Sequence, residues 1–169
     1  LVTAALPAKT AASEGSSWSG AYDYQAISPY LDLAVIMTYD QHHASGAPGP
    51  VASQGWVDEA LKYTLRYFSP NRVLMGLAGY GYDWTKRSGK AVNYQAIQDL
   101  IKRYRVAPQW NDEYQTPYFT YTQSGVKHEV WYENRHSATA KMRLVKKYGL
   151  RGVAVWRLGY EDPEIWLAL

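Results

Sequence analysis

Four stretches of this chain, residues 2–8, 33–39, 72–79 and 152–158, carry apolar and β-prone residues in unbroken runs rather than in alternation. A strand with one face in water alternates, whereas a strand covered on both faces does not. The runs therefore predict buried strands, which is the condition of a parallel sheet flanked by helices. The stretches between them supply those helices. Ser53 is placed to cap one whose apolar positions Val57, Ala60, Leu61, Thr64, Leu65 and Phe68 recur with helical period, while Asp58, Glu59, Lys62 and Arg66 take the wet side and Pro70 stops it. Asn93 is placed to cap a second helix through Ile97, Leu100 and Ile101. Ser137 is placed to cap a third through Met142 and Val145, closed by Gly149 behind Lys146 and Lys147. Between these two helices, residues 117–122 and 127–133 flank a turn at 123–126 and read as a β-hairpin, so a small inserted α+β hairpin segment is expected over residues 105–135.

Strand, helix, strand, helix with right-handed crossovers is the pattern of a parallel α/β sheet. Four such units are half of an eight-stranded (β/α)8 barrel, which needs about 250 residues; this chain has 169 and opens inside its first strand, without a methionine or a targeting region. It reads as part of one barrel domain, residues 1–169, with a complete four-stranded open sheet as the alternative. No run approaches the roughly 20 apolar residues of a spanning helix, so no membrane partner is expected. The net charge of +3 is spread among acids rather than gathered in a stripe, which argues against nucleic acid. The absence of cysteine removes disulfides, thiol catalysis and thiolate metal sites. The aromatic content is unusual, with 16 Tyr and 7 Trp against 2 Phe. Rings with a polar tip suit partly wet surfaces that offer a flat face to a ligand.

In barrels the working residues sit at the C-terminal ends of the strands. Here those ends read Met37-Thr38-Tyr39-Asp40, Gly79-Tyr80-Gly81-Tyr82-Asp83-Trp84 and Ala154-Val155-Trp156. A Tyr-Asp pair, a Tyr and a Trp that converge would form a concave patch able to stack on the C–H face of a sugar and bond its polar groups. Taken singly, each has a plainer role: a strand-closing aromatic with a turning Asp, a packed turn residue, a core Trp. At three successive strand ends they favour a site. His42, His43, His128 and His136 lack metal-ligand spacing, so no metal or other cofactor is expected. The glycines at 76 and 79 lie within a strand instead of opening a helix, which weighs against a phosphate cradle. Asp83 and Glu129 read as solvated carboxylates.

Met37-Thr38-Tyr39-Asp40 resembles the Met-x-Tyr-Asp strand of family 18 glycoside hydrolases, the chitinase-like group, and Tyr80-Gly81 and Trp156 resemble its two following strand-end motifs. The resemblance runs from Leu6-Pro7-Ala8 to Gly159. Pro-Gly-Pro-Val-Ala-Ser at 48–53 and His128-Glu129-Val130-Trp131-Tyr132 are most similar to the branch that acts on peptidoglycan of endospore-forming bacteria. The resemblance implies the C-terminal half of a (β/α)8 barrel. It further implies cleavage of β-1,4-linked N-acetylglucosamine glycan, chitin or peptidoglycan, by substrate assistance, in which the substrate's acetamido oxygen attacks the anomeric carbon. On matching positions Tyr39 and Asp40 would be catalytic, with Tyr39 orienting the acetamido group and Asp40 bonding the sugar. Met37, Tyr80 and Trp156 would line the subsite, Trp156 as its apolar floor.

The family's general acid is the Glu of an Asp-x-x-Asp-x-Asp-x-Glu motif on the preceding strand, and these 169 residues contain no such motif. Three readings stand: a glycosidase whose acid lies outside this chain, a non-catalytic chitin- or peptidoglycan-binding module of the same ancestry, and a phosphate-handling half-barrel. The expected partners are the glycan and the missing N-terminal half of the barrel, with self-association through the uncovered sheet. The resemblance places the protein outside the cell, in the cell wall or in the spore envelope of a bacterium.

Overall fold

A computed structural model describes residues 1–11, 18–86 and 88–169. In chain order its elements are β1 (Thr3–Pro7), α1 (Tyr24–Ile27), β2 (Leu33–Met37), α2 (Gln54–Thr64), β3 (Val73–Ala78), β4 (Tyr80–Thr85), β5 (Ser88–Asn93), α3 (Tyr94–Tyr104), β6 (Gln109–Asn111), β7 (Thr116–Gln123), β8 (Val126–Tyr132), α4 (Arg135–Tyr148) and β9 (Gly152–Trp156). The four unbroken apolar runs are the strands of one parallel sheet, ordered β1-β2-β3-β9. Ala34, Ile36, Val73, Met75 and Leu77 bury one layer of it against Val57 and Leu61 of α2 and Leu144 and Val145 of α4. The register sets Pro7 beside Met37 and Ala78 beside Trp156, so the C-terminal ends of the strands lie along one rim.

Residues 80–84, read above as the tail of the third strand, belong to a second sheet. This sheet is antiparallel, ordered β5-β4-β8-β7-β6, and runs from Tyr80 to Tyr132, so it begins well before the 105–135 stretch. Its period is the reason: Tyr80, Tyr82 and Trp84 are buried on one face, while Gly81 and Asp83 alternate onto the other. The helix predicted after Asn93 serves this sheet too. Ile97 packs on Phe119, Tyr121, Val130 and Tyr132, not on the parallel strands.

The caps follow the sequence with one correction. Ser53 and Asn93 accept from the backbone N–H groups of Trp56 and Ala96. The third helix is capped by Asn134, which accepts from His136 and Ser137, while the Ser137 hydroxyl accepts from the Asn134 N–H. Ser137 is thus the inner half of a capping box rather than the cap itself. Gly149 ends the helix at φ 62°, where a side chain would be strained.

The α2–α4 junction carries a charge cluster. Asp58 accepts from Lys147 (2.8 Å) and from the Tyr148 hydroxyl (2.7 Å), and pairs with Lys62 (2.6 Å). Burial alone would raise the Asp58 pKa, but the hydrogen bonds from Lys147, Lys62 and Tyr148 outweigh it and hold the carboxyl at about 2. Because the folded value lies below the unfolded one of 3.8, the contribution is whole above that pH and is lost as the pH falls toward 2. Asp58→Asn is expected to lower stability by up to about 1 kcal/mol at pH 6, the exposed lysines being screened by solvent, and to flatten the fall between pH 4 and pH 2. Urea midpoints at several pH values measure both.

Candidate functional site

The rim of the parallel sheet gains its shape just past β2. The Thr38 N–H donates to the Ile36 carbonyl (2.8 Å), folding the chain back at Met37, and the buried Thr38 hydroxyl donates to the Gly76 carbonyl (2.7 Å). Gly76 has no side chain to block this crossing. A Cβ there would lie 2.5 Å from the Ile36 oxygen and 2.9 Å from Cε1 of Tyr39. The Tyr39 ring therefore rests against the bare backbone of β3. Asp40 follows in the left-handed region at φ 60°, which short polar residues tolerate better than others.

Asp40 is held from the second sheet. Its Oδ1 accepts from the Tyr80 hydroxyl (2.6 Å) and the Tyr82 hydroxyl (2.9 Å), whose rings meet edge to face with centroids 5.7 Å apart. Burial, together with the hydrogen bond to Asp40 and its charge, pushes both phenols above the ordinary range. They are donors at any physiological pH, which fixes Asp40 as the acceptor. Among the described residues no group bonds its other oxygen, Oδ2. Tyr39 contacts the Tyr80 ring at 6.4 Å, and burial, then the Asp40 charge, raises its phenol as well.

These groups border a cavity of about 480 Å³ lined by Pro7, Ala8, Trp18, Met37, Tyr39, Asp40, His43 and Trp56. Asp40 is the one acidic residue on this wall among the described residues. Of the residues singled out in the sequence, Met37, Tyr39 and Asp40 line the cavity and Tyr80 reaches it through Asp40. Trp156 does not line it. It ends the edge strand β9 beside Ala78 with 56% of its surface exposed.

Sequence reasoning missed four contributors. Tyr82 shares its face of β4 with Tyr80, a signal present in the alternation Tyr-Gly-Tyr-Asp-Trp. Trp18, His43 and Trp56 carry no local signal, because a loop and a helix start bring them in. The Trp84 indole secures that loop by donating to the His43 carbonyl (3.3 Å). Asp83 and Glu129, read as solvated, are engaged within the antiparallel sheet. Asp83 accepts from the Tyr121 hydroxyl (2.6 Å) and bonds Nδ1 of His128 (2.8 Å), and Glu129 accepts from the Trp131 indole (2.7 Å). No group of three or more His, Asp or Glu suited to a metal ion gathers among the described residues.

The sequence profile of Glycosyl hydrolases family 18 matches residues 1–161. The chain belongs to that family. It is 36% identical to the glycosylase YvbX of Bacillus subtilis, over 97% of this chain and 49% of that protein. The crystal structure of the Bacillus cereus spore cortex-lytic enzyme SleL superposes with a TM-score of 0.91 at 33% identity, covering 98% of this chain and 40% of that one. A chitinase from Chromobacterium violaceum superposes with a TM-score of 0.93, again at 33% identity, covering 98% and 53%. The chain thus spans about half the length of its relatives, and its four parallel strands with their helices are part of a chitinase-type (β/α)8 barrel.

The bare crossing at Gly76 yields a direct check. Gly76→Ala is expected to cost roughly 1–3 kcal/mol through overpacking against Tyr39 and the β2 backbone. Gly55→Ala, whose added Cβ meets nothing within 4 Å on α2, is the control and should be neutral or slightly stabilising. Urea unfolding of the two variants makes the comparison.

Proposed function

We propose that this chain is the sugar-holding part of a glycoside hydrolase acting on β-1,4-linked N-acetylglucosamine glycan, chitin or peptidoglycan, by the substrate-assisted retaining route. The observation that carries the reading is the carboxylate of Asp40, anchored on one oxygen by two phenols, with its other oxygen unbonded among the described residues, on a cavity wall that Tyr39 also lines. A pyranose carrying an acetamido group meets that wall with matching needs. The Tyr39 hydroxyl donates to the acetamido oxygen and aligns it with the anomeric carbon. The open oxygen of Asp40 accepts from the amide N–H, which raises the nucleophilic character of the acetamido oxygen. As the new C–O bond forms, the glycosidic bond breaks and the leaving oxygen needs a proton. Asp40 is then engaged through both oxygens, by Tyr80 and Tyr82 on Oδ1 and by the amide N–H on the other, so the proton comes from a carboxylic acid outside these residues. Trp156, exposed on the rim outside this cavity, offers its ring to the apolar face of a sugar that extends along the rim.

The relatives support the substrate class, one being a spore cortex-lytic enzyme and another a chitinase. We place the parent protein outside the cell or in a spore envelope on the same ground. A second reading, a binding module that holds the glycan uncut, is favoured by the absence of any further acid on the described cavity wall.

Two outcomes test the enzymatic reading. In the full-length protein Tyr39→Phe is expected to lower kcat on chito-oligosaccharides about a hundredfold with little change in KM, because the hydroxyl acts on the reacting group. An unaltered kcat would remove that role. The 169 residues alone are expected to leave the same oligosaccharides intact over long incubations, and release of reducing ends would reveal an acid within them.

A further inference from the structure

We propose that the groove between the β6 edge and the outer face of α4 is a second carbohydrate site, one that takes a carboxylate-bearing amino sugar of the same glycan. The groove is a separate cavity of about 410 Å³, lined by Trp110, Gln115, His136, Thr139, Ala140 and Arg143, and it shares no residue with the first. Its size falls within the range of about 300 to 1,000 Å³ usual for small-ligand sites.

The helix composes one wall. His136, Ala140 and Arg143 recur at i, i+4 and i+7, so they lie along a single stripe with the small Ala140 between the two longer side chains. Arg143 and Lys146 are the two Arg or Lys residues of the helix without a carboxylate partner among the described residues, and of the two Arg143 lines the groove. On the same helix Arg135 is paired with Glu164 at 3.1 Å, Lys141 with Glu133 at 2.8 Å and Lys147 with Asp58 at 2.8 Å. Arg143 has no carboxylate, hydrogen-bond or ring partner among the described residues. A guanidinium with five free donors at a cavity wall fits a planar carboxylate in two-pronged fashion.

The opposite wall is Trp110, on a strand of only three residues and 38% exposed. The indoles of Trp84 and Trp131 are buried and donate to the His43 carbonyl and to Glu129. Trp110 is neither buried nor hydrogen-bonded among the described residues. An open indole face suits the C–H side of a pyranose, and its free N–H suits a ring hydroxyl. Gln115 donates its amide N–H to the Asp112 carbonyl (2.7 Å), which orients the side chain and leaves Oε1 to accept from a hydroxyl or an acetamido N–H. An aromatic platform, an amide acceptor and an unpaired guanidinium together describe an acidic amino sugar better than a neutral one, for which the arginine would be idle.

The choice of ligand rests on the proposed glycan substrate, and the site would anchor a strand of that polymer while the first cavity works on it. The test uses the full-length protein and two probes, N-acetylglucosaminyl-N-acetylmuramic acid with its free carboxylate and neutral N,N′-diacetylchitobiose. The Trp110 indole NMR signal, assigned with Trp110→Phe, is followed during each titration. The acidic disaccharide is expected to shift it and the neutral one to leave it in place. Arg143→Ala should weaken that binding tenfold or more and Arg143→Lys by less, with cleavage of chito-oligosaccharides unchanged in both. A signal unmoved by the acidic sugar, equal affinity in Arg143→Ala, or an equal shift with inorganic phosphate alone would overturn the site. Failure of the glycosidase reading shows elsewhere, as uncut neutral oligomers with a normal Trp110 titration.

Discussion

One carboxylate oxygen joins the two sheets of this protein. Asp40 ends a segment of the parallel sheet, Tyr80 and Tyr82 belong to the antiparallel one, and both phenols donate to Oδ1. Hydrogen bonds to a charged group contribute about 1.5–3 kcal/mol each. That is enough to offset the roughly 1–3 kcal/mol of holding a non-glycine residue in the left-handed region. The strained backbone and the two donors are thus one device. The turn aims the carboxylate at β4, and β4 keeps the turn from relaxing. What remains free is a single oxygen of defined direction, which a loop aspartate without such anchors would not present.

Such anchoring requires the second sheet to be rigidly mounted. At the end of the sheet that holds Tyr80, Glu133 follows β8, takes two hydrogen bonds from Lys141 of α4 at 2.8 and 3.0 Å, and donates its N–H to the Tyr80 carbonyl. Both side chains are 2% exposed. A buried ion pair is weak as a source of stability, since desolvation consumes most of the Coulomb gain, but removing either charge strands the other. Its consequence is positional. With that pair in place, β4 and β8 are tied to the helix that packs on the parallel strands, and Tyr80 cannot drift from Asp40 without breaking it.

The parallel strands were legible because burial on both faces leaves a composition signature that no surface element shares. Part of the cavity wall was legible where strand ends put aromatic and polar residues next to that signature, as in Met37, Tyr39 and Asp40, with Tyr80 behind Asp40. The start of the second sheet was obscured by contiguity. Gly79 and Tyr80 continue the apolar run of β3, and only the alternation from Tyr80 to Trp84 announces a new strand with two unlike faces. Asn134 was overlooked as a cap because Ser137, three residues on, has the right chemistry and in fact plays the reciprocal part. Trp18 and His43 had no legible signal, since nothing local dictates where a loop returns.

The placement of Trp156 follows from the same logic of covered and uncovered faces. Strands β2 and β3 have a partner on both sides, and their inward residues Ala34, Ile36, Val73 and Met75 are fully buried. Strand β9 has a partner on one side only, its residues 152–155 are partly exposed, and Trp156 at its end and Leu158 beyond it are 56% and 71% exposed. A closed barrel has no such edge. Tyr39, Asp40 and Tyr80, by contrast, sit where β2, β3 and the antiparallel sheet meet, and their positions are set by contacts within these residues. The arrangement of Tyr39, Asp40 and Tyr80 is therefore fixed by contacts among these residues, while Trp156 stands on an edge that a closed barrel would cover.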